Sequence, residues 1–327
     1  MRRAGQLAAA RDALSSWDIE VAAVDFVSES ENIAFRVEDG YGRVYVLRLH
    51  RPWYHSYEEL LSEQVWTAVL RDGGADVPVP VPTHEGEAYA RARIGNEDRW
   101  AGLLEWVDGV PMAELLDTDA GSDRVRGLFE ALGALIATLH NHAAGWTPPE
   151  AFARHSLDED GLLGEAPWWG RFWESRFVTG VQGERLDGLR RRIYDLLRGY
   201  GKGPDRFSMI HADLHPGNVI VNGARMHVID FDDAGFGWHA YDLAVALFRY
   251  QTWGSFGEIR TALVEGYRRV RSLDKESVDM IGLFLFVRAL VSIGWISARP
   301  ELERQEYGPW LVEHVFRNVD RVEAVFL

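Results

Sequence analysis

The sequence predicts an α+β chain in two lobes: a small antiparallel β-sheet lobe with one main helix over residues 1–104, a short hinge at 105–109, and a larger, mostly helical lobe over 110–327. Three observations predict it. Short β-branched and aromatic runs bounded by turn residues fill the first hundred positions. Apolar residues at helical spacing dominate after Val110. Within that helical half lies one strong strand–turn–strand signal, from Val219 to Ile229.

Val21–Val27, Ile33–Val37 and Tyr45–Leu49 read as strands, and Asp39-Gly40 supplies a hairpin turn between the second and third. A helix from about Ser56 to Leu70 carries a capping box in Ser56 and Glu59, with Leu61, Val65 and Val69 expected on its buried face. Val77 to Pro82 alternates Val and Pro and is held extended by the proline rings. Two more strands are expected over Ala88–Arg93 and Arg99–Trp106. In the second half, helices are expected over Leu128–His142, Leu189–Leu197, Tyr241–Tyr250, Ile259–Val270, Met280–Ile296 and Pro309–Val325. Neither an internal repeat nor a low-complexity segment is present.

Composition narrows the function. Hydrophobic residues make up 47% and charged residues 26%, as in ordinary globular chains. The 35 basic and 50 acidic side chains give a formal charge of −15, which argues against a nucleic-acid partner, since such partners are held by basic surfaces. Cysteine is absent, excluding disulfides, thiol catalysis and thiolate metal sites and fitting a cytoplasmic location. The residues after Met1-Arg2-Arg3 contain no secretory apolar core. The most apolar segment, Met280 to Ile296, holds Arg288 near its middle; a central Arg costs about 2.5–3.5 kcal/mol on membrane-insertion scales, so a buried core helix is expected, not a membrane span.

The chemistry concentrates in residues 211–233. His211-Ala-Asp213-Leu-His215-Pro-Gly-Asn218 precedes the apolar run Val219–Val221, and after the Asn222-Gly223 turn a second apolar run ends at Asp230. Asp213 can accept or orient the proton of an attacking hydroxyl. Asn218 and Asp230 offer the hard oxygen atoms that a Mg²⁺ bridging nucleotide phosphates needs. A transition-metal site built from His211, Asp213 and His215 fits known ligand spacings poorly.

These motifs resemble the kinase-like fold, and more closely the bacterial aminoglycoside-phosphotransferase superfamily, which includes choline, homoserine and stress-response kinases. The resemblance runs over nearly the whole chain. It is specific in 211–218, in Ile229-Asp-Phe-Asp-Asp-Ala-Gly-Phe-Gly237 and in Tyr241-Asp-Leu-Ala244. It implies ATP as co-substrate, Mg²⁺ as cofactor, Asp213 as the catalytic group, and a nucleotide-binding role for the first lobe. Arg48 stands in Tyr45-Val-Leu-Arg48, where the kinase pattern has its third-strand Lys, and an Arg differs from a Lys in geometry. Glu63 is the chosen helix partner, with Glu58 and Glu59 as competitors. No glycine occurs in Ser28–Asn32, so Ser30, Asn32 and backbone amides would have to cover the phosphates. Glu105 and Val107 would present backbone groups to an adenine edge. His211 is expected to order the loop and Asp242 to tie it; Asp232 and Asp233 are open between assisting the metal and capping the turn.

The resemblance thus points to an O-phosphotransferase acting on a small, amine-bearing molecule: an aminoglycoside-like or other antibiotic, or an amino alcohol. A cationic acceptor would suit the tryptophans at 168, 169, 173, 295 and 310 and the carboxylates Glu301, Glu303 and Glu306. Two alternatives stand beside it, a serine/threonine protein kinase of the stress-response type and a nucleotide-binding pseudokinase. Only eleven residues separate Asp230 from Asp242, with no Ser or Thr among them, which disfavours a regulated protein kinase.

Overall fold

The computed structural model describes residues 2–116, 123–302 and 305–327, and the chain divides into two compact units. The first comprises residues 1–110, 148–153 and 220–232; the second comprises 111–147, 154–219 and 233–327. Residues 220–232, which lie in the 110–327 portion of the sequence division, group with the first unit, to which Val228 N–H donating to Asp76 O at 2.9 Å and Arg48 Nη2 donating to Asp232 Oδ1 tie them.

The first unit opens with a helix absent from the sequence expectations, α1 (Arg2–Ala13), whose Ala9, Ala10 and Ala13 are buried. Its alanine-rich stretch has good helix propensity but too few large apolar residues for a periodic signal. Strands β1 (Val21–Glu29), β2 (Ile33–Asp39) and β3 (Val44–Leu49) follow, then α2 (Tyr57–Asp72), β4 (Pro80–Val81), β5 (Ala90–Ile94) and β6 (Glu97–Glu105). The sheet is antiparallel in the order β1-β2-β3-β6-β4, with β5 on β6. In β2 the buried positions alternate: Ile33, Phe35 and Val37 face a core completed by Leu47, Leu49 and Leu103. The β2–β3 turn is longer than Asp39-Gly40 alone. Asp39 caps it, its carboxylate accepting from the N–H groups of Tyr41 and Arg43, and Gly42 takes the left-handed conformation.

Helix α2 begins on the Ser56–Glu59 capping box read from the sequence. Its buried face is different from the expected one. Leu60, Glu63, Trp66, Thr67 and Leu70 point inward, Leu61 and Val69 are half-buried, and Val65 is exposed. The apolar stripe misled because a polar residue, Glu63, belongs to the inner face: it has an ion-pair partner there.

Beyond the bridge strand β7 (Val110–Pro111) come α3 (Met112–Leu116), α4 (Asp123–Gly145), β8 (Ser156–Leu157), α5 (Glu159–Leu163), α6 (Gly180–Tyr200) and β9 (Phe207–Ile210). The hairpin β10 (Val219–Asn222) and β11 (Arg225–Val228) follows, then β12 (Gly235–Trp238), α7 (His239–Leu247), α8 (Phe256–Val270), α9 (Lys275–Ser297) and α10 (Tyr307–Phe326). The second unit holds a small sheet that the sequence did not announce, in the order β8-β12-β9. Its strands are two to four residues long, too short for a period-2 pattern. Helix α9 is long and apolar enough by composition to cross a membrane, yet 78% of that window is buried within the protein, as in a core helix.

Candidate active site

In the first unit the site residues gather around Arg48. Its Nη1 donates to Glu63 Oε1 at 2.8 Å, and its Nη2 donates to Asp232 Oδ1 at 3.0 Å and Asp230 Oδ1 at 3.4 Å. Glu63, not Glu58 or Glu59, is therefore the partner of Arg48. Burial alone would loosen the proton on Arg48, but the three carboxylates hold it firmly in the charged form. Asp232 is buried too. Desolvation would raise its pKa, yet His50, Arg48 and His55 together hold it well below the usual carboxylate range. The sequence left Asp232 open between two roles; the structure gives it a third, as an anchor for Arg48.

One guanidinium against three carboxylates leaves this cluster a formal charge of −2. Asp230 is the most accessible of the three, its side chain 44% exposed, and its backbone lies in the left-handed region at φ 65°. A non-glycine residue rarely adopts that conformation without a positional reason. Arg48, Glu63 and Asp230 line a cleft whose apolar walls include Pro78, Leu104 and Phe231.

The Ser28–Asn32 turn is held by Arg51 rather than by glycine flexibility. Arg51 N–H donates to Asn32 Oδ1 at 3.3 Å and its Nη2 to Ser30 O at 3.2 Å. Asn32 is buried, so its side chain serves the turn itself. At the proposed hinge, Glu105 N–H donates to Val79 O at 2.8 Å and is thus engaged within the first unit. Val107 takes part in none of the backbone hydrogen bonds among the described residues.

In the second unit the 211–218 loop holds Asp213 and Asn218 together. Asn218 Nδ2 donates to Asp213 O at 3.0 Å and to Asp213 Oδ2 at 3.3 Å, which directs the Asn218 side-chain oxygen away from that carboxylate. Arg288 Nη2 donates to Asp213 Oδ1. Burial would raise the Asp213 pKa, but His215, Arg288, His211 and Arg249 hold it below the ordinary value. His215 is itself pushed down to about 4 by burial and is neutral at pH 7, so the permanent charge of Arg288 is the effective partner.

The loop is fixed by its own histidines and by Asp242. His211 Nδ1 accepts from Asp213 N–H at 3.3 Å, and His215 Nδ1 accepts from Gly217 N–H at 2.9 Å. Among the described residues, His211, Asp213 and His215 do not gather into a group that could hold a metal ion. Glycine is required at 217, where a Cβ would meet the His215 ring at 2.7 Å. Ala212 sits in the left-handed region at φ 65°, and Asp242 holds it there, accepting from Ala212 N–H at 2.7 Å and His211 N–H at 3.0 Å. Behind Asp242, His140 Nε2 lies 3.2 Å from its Oδ2, and His140 Nδ1 lies 3.0 Å from Tyr267 OH. Neutral His140 completes the chain by accepting from the tyrosine and donating to the carboxylate. Burial raises Asp242 to about 6 and lowers His140 to about 3.

The tryptophans expected to attract a cationic acceptor are already occupied. Trp168 stacks on His155, Trp310 lies between Tyr307 and His314, and Arg288, Arg190 and Arg299 lie over Trp169, Trp173 and Trp295. Glu301 and Glu306 are exposed, and Glu303 lies outside the described residues. Each of these five rings thus has an aromatic, histidine or guanidinium neighbour within the protein.

Comparison with known proteins accords with this architecture. A family model described as the phosphotransferase enzyme family matches residues 24–279. The chain is 24% identical over 282 residues to the amicoumacin kinase of Bacillus subtilis (strain 168), covering 83% of this chain and 79% of that one. It is 27% identical over 220 residues to a homoserine kinase of Parvibaculum lavamentivorans, covering 65% and 61%. Among solved structures, a microcompartment-associated aminopropanol kinase superposes with a TM-score of 0.85 at 30% identity over 97% of this chain and 98% of that one. An amicoumacin kinase in complex with AMP-PNP, Ca²⁺ and Ami shares the fold, with a TM-score of 0.76 at 20% identity over 96% and 94%. The chain belongs to the phosphotransferase enzyme family and is a kinase that phosphorylates an alcohol group of a small molecule.

Proposed function

We propose that this chain transfers the γ-phosphoryl group of ATP, with Mg²⁺, to the hydroxyl of a small amine-bearing alcohol. The observation that carries the acceptor class is the 30% identity, over nearly the full length of both chains, to an aminopropanol kinase. Within the amine-bearing class, an amino alcohol is favoured over an antibiotic because the identity to the amicoumacin kinases is lower, 24% and 20%.

The assigned roles follow from each residue's own surroundings. Asp213 orients the acceptor hydroxyl; phosphoryl transfer through a loose transition state asks little of a base and much of positioning. Asp230 is a hard ligand suited to a divalent cation, and the −2 formal charge around Arg48 favours one there; the side-chain oxygen of Asn218 is a hard donor of the same kind. Such a cation would neutralise phosphate charge as it develops. Arg48 has five N–H groups, more than its three carboxylate contacts use, and can therefore also donate to a phosphate. The apolar walls of the first-unit cleft suit a nucleobase. Tyr241, the one hydroxyl residue between Asp230 and Asp242, is fully buried, which speaks against a phosphorylated activation segment.

The test is ³¹P NMR of Mg²⁺-ATP turnover with short amino alcohols, homoserine, choline, aminoglycosides and a generic protein substrate. The expected result is a phosphomonoester on an amino alcohol. Phosphate transferred only to protein, or to none of the alcohols, would overturn the reading.

A further inference from the structure

Arg288 is the single charged residue between Met280 and Ile296, and nothing in the nucleotide chemistry accounts for it. Its neighbours Val287 and Ala289 are fully buried in α9. Its guanidinium is held on three sides within the second unit. Nη2 donates to Asp213 Oδ1, Nη1 donates to Tyr241 OH at 3.4 Å, and Cζ lies 5.7 Å from the ring centre of buried Trp169. A charge placed in an apolar helix costs stability unless it is paired, and Asp213 is the carboxylate that pairs with it.

We propose that Arg288 is a positioning residue of the phosphotransfer reaction, pinning one oxygen of Asp213 so that only the other is presented to the acceptor hydroxyl. This rests on the reading of Asp213 as the hydroxyl-orienting group. A carboxylate with both oxygens open can rotate, or can be captured by the ammonium group of an amine-bearing acceptor in an unproductive pose. With Oδ1 taken by a fixed guanidinium, the ammonium gains little there, and Oδ2 is left for the hydroxyl. Asn218 Nδ2 limits rotation from the other side, at 3.3 Å from Oδ2. Arg places two separate nitrogens of its planar fork on Asp213 and Tyr241, a geometry that the single nitrogen of a Lys ammonium does not reproduce.

The experiment is a double-mutant cycle on the full chain with its best acceptor. Arg288→Met is expected to lower kcat about a hundredfold, the scale of losing one preorganised donor, while the KM for ATP stays within about twofold. Added guanidinium ion is expected to restore part of that kcat. The double variant Asp213→Asn/Arg288→Met is expected to be no slower than Asp213→Asn alone, within about threefold, because Arg288 acts only through Asp213. A kcat for folded Arg288→Met within about threefold of wild type, or losses that multiply in the double variant, would overturn the proposal in favour of a purely structural arginine. If Arg288→Met does not fold, Arg288→Lys decides: about a tenfold loss of kcat is expected, and a wild-type kcat overturns the proposal. Should Asp213→Asn alone keep wild-type turnover, it is the reading of Asp213 that fails, independently of Arg288.

Discussion

The two units each place an arginine on carboxylates, and they balance charge in opposite ways. Around Arg48 three carboxylates outnumber the cation, leaving a surplus of negative charge. Around Asp213 a single carboxylate meets a single guanidinium, Arg288, beside neutral His215. On the proposed function, the difference separates two tasks. A surplus of hard oxygen donors suits a divalent cation and its phosphates, whereas a self-neutralised carboxylate is preset to orient a hydroxyl without outside charge.

The comparison can be broken at its most buried point. Asp232→Asn is expected to destabilise the chain by about 1.5–3 kcal/mol, the scale of a buried hydrogen bond to a charged group, since Arg48 keeps Glu63 and Asp230 but is held less tightly. Mg²⁺-ATP affinity should fall with it. Chemical denaturation and calorimetry check both, and unchanged values would mean that Asp232 is not an anchor.

A smaller effect is expected in the second unit. Asp242→Asn keeps one oxygen for the His211 and Ala212 amides and loses the other, costing about 1–3 kcal/mol, the scale of one unsatisfied buried donor. Because Ala212 sits in a left-handed conformation directly before Asp213, kcat should fall more than the KM for either substrate. A loss of stability without a loss of kcat would make Asp242 a fold residue alone.

The smallest expected signal is in pH. Burial lowers His140 to about 3 and His215 to about 4, and lowers His50 and His239 as well. For each, the unfolded chain takes up a proton near pH 6.5 that the folded chain refuses, so stability is full above that pH and is lost as pH falls towards the folded value. Asp242 works in the opposite sense: raised to about 6, it favours the folded state as pH falls from 6 to about 4. Four imidazoles outweigh one carboxyl, so thermal stability should decline from pH 6.5 to pH 4. A flat profile over that range would contradict the burial of these histidines.

The unequal legibility of the two regions has a physical cause. Motifs that lie close in sequence were readable: the Asp213–Asn218 pair, the Asn222-Gly223 turn and the Ser56–Glu59 capping box all follow from local spacing. Arg48 and Glu63 were reachable only through the resemblance to the kinase pattern, with a cation on the third strand and its carboxylate partner on the next helix. The anchoring role of Asp232 was not, since it depends on a pairing across 184 positions. Arg288 was visible as an anomalous charge in an apolar helix, but its partner 75 residues away was not. The inner face of α2 was misread because its key residue is polar, and α1 was missed because alanine carries propensity without periodicity.

The central claim is that a preset carboxylate, Asp213, orients the acceptor alcohol for phosphoryl transfer, and kinetics on one variant test it most directly. Asp213→Asn keeps the size of the side chain and its hydrogen-bonding reach while removing its charge. Its kcat with the best amino-alcohol acceptor is expected to fall about 10²–10⁴-fold with Mg²⁺-ATP affinity close to wild type, while the melting temperature drops because Arg288 loses the carboxylate that pairs with it. Turnover within a few-fold of wild type in that folded variant would contradict the account.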